Sequence, residues 1–408
     1  MTLARGRDYL AIPGPSVMPD AVLRAMHRAA PNIYTGELFD MLPGIIADLK
    51  AVARTSHEVA MYIGNGHAAW EAALANILSP GERVLTLATG RFAKGWGECA
   101  AGLGAEVEVL DFGLRGPIDP ARVADALSRD TEHRIKAVLM CHVDTATSAL
   151  NDTKAVRAAL DAAGHPALLL VDCIASLASD RFEMDGWGAD IMVAGSQKGL
   201  MTPPGMAFVY FNDKANRARD GAKAVTRYWD WRPRIGAEEL YLYFYGTAPT
   251  HHLYGLRTAL DLLKDEGLEA VWERHGILAR AVWAAVDVWA AEGPLEFNIA
   301  APEHRSNAVT TLRLPQAETR ALRAWVETHT GLTLGLGIGM DMVDGPNPSG
   351  HFRIGHMGHL NAHMVLGALG SIDAALKSLG IAHGSGAVEA ASAEIAKAVE
   401  TPQAVKIA

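Results

Sequence analysis

Between about residues 59 and 260 the sequence alternates short apolar runs with Ala-rich windows of helical spacing, and this alternation restricts the fold more than any other feature. The runs fall at Val59–Ile63, Arg83–Ala88, Glu106–Leu110, Ala137–His142, Ala167–Asp172, Asp190–Ala194 and Met206–Phe211, with helical windows such as Ala68–Ile77, Lys94–Leu103 and Lys154–Ala163 between them. Strands that are apolar at consecutive positions have both faces covered, and helices between successive strands supply that cover in a mostly parallel sheet. The last two runs are joined by too few residues for a helical crossover, so one of them is expected to run antiparallel.

After Leu256 the texture changes. A long helical region covers about His252 to Glu292, followed by a strand at Ala308–Leu314, a helix at Ala317–Thr330, a Gly-rich connection and a helix at Ala362–Leu379. A chain of 408 residues, half of them hydrophobic, is long enough for two domains. The expected division is an N-terminal segment 1–22 at the active site and dimer interface, a large domain 23–262 with a seven-stranded sheet, a small α/β domain 263–385, and a tail or helix 386–408.

The 37 Lys and Arg against 46 Asp and Glu give a net charge of −9, with both signs interspersed. No basic stripe suggests nucleic acid. No apolar run reaches the roughly 18 to 20 residues of a membrane span, and Met1–Tyr9 lacks the apolar centre of a signal peptide. Cys99, Cys141 and Cys173 form no CxxC pair and read as reduced, buried residues of a cytoplasmic protein, with a catalytic thiol as the sharper alternative.

The chemistry concentrates in Ala167–Pro204. Asp172 closes one apolar strand, and Lys198 follows another in a small polar turn, 26 residues on. Ligands in such sheets sit at these strand ends. A lysine there, partly desolvated, loses its proton readily and suits condensation with a carbonyl. An aspartate beside it suits the pyridine nitrogen of pyridoxal phosphate. The two residues equally fit a surface ion pair. Upstream, Gly64-Asn65-Gly66-His67-Ala68 leaves a strand and opens a helix, an arrangement that presents backbone N–H groups to an anion or simply makes a tight turn.

The string Ala194–Gly199, with Pro203–Gly205 behind it, resembles the cofactor-lysine segment of the class V aminotransferases, most nearly their alanine–glyoxylate and serine–glyoxylate group. The resemblance runs from Pro13-Gly14-Pro15 to Arg353-Ile354-Gly355. It implies the aspartate-aminotransferase-like fold type I and a homodimer with shared active sites. It also implies a pyridoxal 5'-phosphate cofactor carried by Lys198, with Asp172 on the ring nitrogen. By the same resemblance Gly66, His67, Ala68 and Gln197 meet the phosphate. Phe92 stacks on the ring, unless it is a core residue, and the Thr145 hydroxyl approaches the phenolic oxygen. Thr247 with Tyr245 or Tyr243 reaches the partner's phosphate, unless these aromatics only pack the dimer. Arg353 grips the substrate carboxylate, its alternative being an interdomain ion pair, and backbone near Gly14 closes the pocket.

The implied reaction moves an amino group from a small amino acid, such as alanine or serine, to a 2-oxo acid, with glyoxylate expected. Three departures bear on the substrates. Ile33-Tyr34-Thr35-Gly36 replaces a His-Arg-Ser string, the phosphate turn is nearer the alanine–glyoxylate version, and Arg353–Gly358 with Asp144-Thr145 also resembles pyridoxamine–pyruvate aminotransferase. That activity and an aspartate–glyoxylate reaction are the alternatives. A desulfurase would need a cysteine in a mobile loop near the small domain. His351, His356, His359 and His363 form a histidine-rich stretch with no carboxylate or cysteine among them and Arg353 inside it, so no metal site is expected.

Overall fold

The computed structural model describes residues 2–340 and 350–399; residues 400–408 of the expected C-terminal tail lie outside them. The main sheet has seven strands in the order Glu58–Gly64, Gly205–Phe211, Ile191–Gly195, Leu168–Asp172, Ile135–Cys141, Arg83–Ala88 and Glu106–Asp111. All are parallel except Gly205–Phe211, which runs antiparallel to both of its neighbours. The short link to Ile191–Gly195 allows only that direction.

The apolar runs are apolar because both faces are buried. Met61, Leu85, Leu87, Val138, Met140, Leu169 and Val171 enter one core. Tyr62, Val84, Ala137, Leu139, Leu168 and Leu170, the residues between them, enter the other. The edge strand Glu106–Asp111 differs: Glu106 and Glu108 are exposed there and discourage further strand pairing.

A second sheet has the order Tyr9–Ala11, Leu332–Leu336, His351–Gly355, Val309–Arg313, Glu296–Phe297. Its first strand comes from the N-terminal segment and pairs in parallel with Leu332–Leu334. Helices Gln316–Thr330, Ala362–Leu379 and Ala387–Ala398 belong to the same unit and bury Leu322, Val326, Leu369, Ile372 and Ala391 in its core.

The long helical region is two helices, Thr250–Glu266 and Leu268–Ala291. Gly267 separates them at φ 83°, in the left-handed region that side-chain-bearing residues avoid. Apolar spacing continues across the break, which is why periodicity alone does not show it.

One run of backbone makes a series of hydrogen bonds between the two units. Four successive carbonyls of the large domain accept hydrogen bonds from the small one: Thr145 from Arg353 at 2.9 Å, Ala146 from the Thr311 hydroxyl at 3.0 Å, Thr147 from the Asn298 amide at 3.0 Å, and Ser148 from the Ser306 N–H at 3.3 Å. Beside them, buried Asp180 accepts from the Ser306 hydroxyl and the Asn307 N–H, both at 2.7 Å. Asp180→Ala leaves these two donors unpaired, at about 1–3 kcal/mol each. The expected result is a thermal midpoint several degrees lower, read by calorimetry on the cofactor-free protein.

Candidate active site

The carboxyl ends of the parallel strands deliver the candidate residues to one place. Asp172 ends its strand, Thr145 follows Ile135–Cys141, Phe92 opens the helix Arg91–Gly102 after Arg83–Ala88, Gly66 and His67 open the helix Gly66–Ala75 after Glu58–Gly64, and Lys198 follows Ile191–Gly195. They surround a cavity of about 230 Å³ that Pro13, Gly14, Ile338 and Arg353 also line. A larger cavity of about 700 Å³ lies between residues 7–24 and the helix Ala362–Leu379, but holds none of these residues. The chemistry therefore belongs to the smaller one.

Asp172 is buried, with one carboxylate oxygen accepting from Trp70 Nε1 at 2.8 Å and the other from the Ile174 N–H at 2.7 Å. Burial pushes its carboxyl up to about 7, against the pull of those two donors and of the Lys198 charge. Lys198 keeps part of its stem open to the cavity while its amine is desolvated. Burial, reinforced by the Arg353 charge, brings the amine down to about 8, and Asp172 opposes the change. The amine donates to the Pro13 carbonyl. A neutral amine is the nucleophilic form, so burial arms Lys198 near neutral pH.

Arg353 donates through Nε to the Leu336 carbonyl and through Nη1 to that of Thr145. Among the described residues no carboxylate lies within ion-pair distance of it, so the interdomain ion pair is replaced by bonds to backbone carbonyls. Burial lowers its guanidinium to about 10, with the Asp144 charge opposing. It is a desolvated planar cation at the wall of the cavity, the donor type that suits a carboxylate.

The residues present fit pyridoxal phosphate. A Cβ on Gly14 would run into the Lys198 side chain, so this glycine keeps the space beside the amine clear, and one on Gly66 would run into Ile174. Asp172 is a buried carboxylate that a protonated ring nitrogen would neutralise. The helix starting at Gly66 offers N–H groups to a phosphate, although the Asn65 side chain takes those of His67 and Ala68, at 3.1 and 3.4 Å. An incoming phosphate would displace Asn65 from them. Phe92 lines the cavity and meets Trp70 edge-on, ring centres 6.3 Å apart.

Gly14, Gly66, His67, Phe92, Thr145, Asp172, Gln197, Lys198 and Arg353 all line the cavity. Ala68 contributes its N–H just behind. Tyr245 and Thr247 are exposed and do not line it. Trp70, Ile174, Ala175 and Ile338 line it too, although reading the sequence did not single them out. Trp70 sits four residues after Gly66 on the same helix, a spacing that could have placed it beside Asp172.

Cys141 and Cys173 are fully buried with their thiols pushed well up by desolvation, and Cys99 is raised to about 11 by the same cause. Such thiols are not nucleophiles at neutral pH. His356 is buried between the Asn307 carbonyl and the Thr310 hydroxyl, each at 2.8 Å. Among the described residues, no three His, Cys, Asp or Glu stand close enough to share an ion, and no helix is long and apolar enough to cross a membrane.

Two outcomes are expected. Because the folded Asp172 holds its proton to about pH 7 while the unfolded one releases it near 4, the cofactor-free protein loses stability as pH rises through that window. Asp172→Asn removes this loss, so its thermal midpoint exceeds that of the parent at pH 8 and the gain shrinks toward pH 4. Gly14→Ala crowds Lys198 and strains a φ of 101°, and should slow pyridoxal phosphate attachment by about tenfold or more, followed by visible absorption.

The sequence model described as "Aminotransferase class-V" matches residues 46–337. Serine–glyoxylate aminotransferase of Arabidopsis thaliana is 35% identical over 393 residues, 95% of each chain. L-aspartate–glyoxylate aminotransferase of Paracoccus denitrificans is 34% identical over 92% of each. Pyridoxamine–pyruvate aminotransferase from Mesorhizobium loti superposes with a TM-score of 0.85 at 27% identity, covering 98% of this chain and 100% of that one. With this match over most of its length, and the fold type I architecture around Lys198, the chain belongs to the class V aminotransferases.

Proposed function

We propose that this transaminase moves an amino group from a small uncharged amino acid to glyoxylate, with pyridoxal 5'-phosphate carried on Lys198. The observation that carries the reading is the meeting of a desolvated amine, a buried carboxylate and a desolvated guanidinium in one cavity of about 230 Å³. When bound, pyridoxal phosphate supplies an electron-accepting ring that makes the α-hydrogen of an attached amino acid acidic.

The chain's own residues do the rest. Asp172, held by Trp70 and Ile174, keeps a proton on the ring nitrogen. Arg353 takes the substrate carboxylate and turns the α-hydrogen toward Lys198. The Lys198 amine, released from the cofactor when substrate attaches, lifts that proton from the α-carbon and returns it to the C4′ carbon, as base and then as acid. Phe92 would cover the ring face, the Gly66–Ala68 turn and Gln197 would hold the phosphate, and Thr145 would meet the phenolic oxygen. Water would then supply the oxygen that replaces nitrogen on the donor carbon, releasing a 2-oxo acid, and the same steps in reverse would aminate the second 2-oxo acid with release of water, giving ping-pong kinetics.

The substrate class follows from the lining. Val143, Ile174, Ala175 and Ile338 are apolar, and among the described residues that line the cavity Arg353 and Lys198 are the only Arg or Lys. Aspartate would leave its second carboxylate without a cation, which favours alanine or serine as donor. The pyridoxamine–pyruvate reading is favoured by the overlap with the Mesorhizobium loti structure. Against it stands the helix-opening turn suited to a phosphate.

The active form is a homodimer with shared sites. Tyr245 and Thr247 are exposed, and Tyr228 touches both exposed Tyr245, ring centres 6.5 Å apart, and the Ile63 carbonyl. Tyr245, at a left-handed φ of 53°, is the tyrosine offered to the partner. Tyr243 is half-buried, its carbonyl held by Arg234.

Mixing the pyridoxal-phosphate-loaded protein separately with alanine, serine, aspartate and pyridoxamine tests the reading. Loss of the visible band with alanine or serine, restored by glyoxylate, is expected. Bleaching by aspartate, or turnover of pyridoxamine with pyruvate alone, would replace it with one of the alternatives. Lys198→Ala should lower the half-reaction rate by about three orders of magnitude or more.

A further inference from the structure

Asp144 is fully buried and lines no part of the cavity, yet three elements of the site hang on it. The helix Arg91–Gly102 has no side-chain cap of its own, because Gly90 stands at its N-cap. Asp144, 52 residues away, supplies the cap: one carboxylate oxygen accepts from the N–H groups of Phe92 and Ala93, both at 3.0 Å. The other oxygen accepts from the Ala146 N–H at 3.0 Å, which fixes the turn carrying Thr145. The carbonyl of Thr145 in turn seats Arg353 Nη1 at 2.9 Å. A Cβ at Gly90 would strike the Asp144 carboxylate, so only glycine leaves room for this arrangement.

We infer that Asp144 is the positioning residue of the substrate-carboxylate clamp, aligning Arg353 and the Phe92 wall through its three backbone hydrogen bonds. This rests on the functional reading above and extends it to a residue that touches neither substrate nor cofactor. Burial raises the Asp144 carboxyl above its ordinary value, while the three backbone N–H donors and, least, the Arg353 charge oppose that rise. An Asn at this position keeps the shape but turns one acceptor into a donor facing a backbone N–H. The turn at Thr145 then shifts, and Arg353 with it. A guanidinium misplaced by about 1 Å weakens recognition by up to about 100-fold.

The test uses the loaded enzyme and 2-methylalanine, which has the amine and carboxylate of a donor but no α-hydrogen to lose. Its dissociation constant is read from the change in visible absorption. For Asp144→Asn we expect about a tenfold or greater rise in that constant and in the KM of both donor and 2-oxo acid, with kcat changed less and cofactor retention intact. Gly90→Ala, which displaces Asp144 without removing its charge, should give the same signature should the first variant fail to fold. If either folded variant binds 2-methylalanine as the parent does and shows only a lower thermal midpoint, the inference is overturned. If the parent itself binds no 2-methylalanine, the functional reading fails instead.

Discussion

A carboxyl group buried at the end of a central strand shapes much of this molecule. Raising the carboxyl of Asp172 from its ordinary value of 3.8 to about 7 corresponds to on the order of 4 kcal/mol of differential stabilisation of the protonated form. Trp70 and the Ile174 N–H hold the group in place without neutralising it. Gly14 keeps the space beside the neighbouring amine clear, that amine is desolvated, and a guanidinium is carried in from the second domain. Each of these is unfavourable for a bare protein, and together they describe a cradle for a cationic ring that carries an anionic group.

The parts of the fold visible in the sequence are those set by local burial. Both faces of the sheet are covered, so its strands are apolar at consecutive positions, and their ends place Asp172 and Lys198 without reference to the rest of the chain. Phe92, Thr145 and Arg353 needed resemblance to known proteins, since nothing local marks them. What stayed hidden depends on distant pairing. Tyr9–Ala11 enters a sheet with residues more than 300 positions away, the break at Gly267 interrupts no hydrophobic period, and the cap from Asp144 to Phe92 joins two segments that share no pattern.

The core of the site is built at strand ends, where geometry is held by the sheet and tolerates little change. Ala175 and Ile338, which also line the cavity, lie on connecting segments, where a change of residue costs less in stability than within the sheet. Relatives that name serine, aspartate or pyridoxamine as substrate therefore resemble this chain over nearly their whole length.

The run of four carbonyls at Thr145–Ser148 has a consequence for how such enzymes can be recombined. Its donors lie at Asn298, Ser306, Thr311 and Arg353, spread over the second unit of the chain. A hybrid that joins this large domain to the C-terminal half of a relative inherits its clamp from one parent and the seat for that clamp from the other. The exchangeable block is therefore not the domain as drawn by the chain. It is the small domain together with the hairpin around Thr145, a unit defined by hydrogen bonds rather than by sequence order.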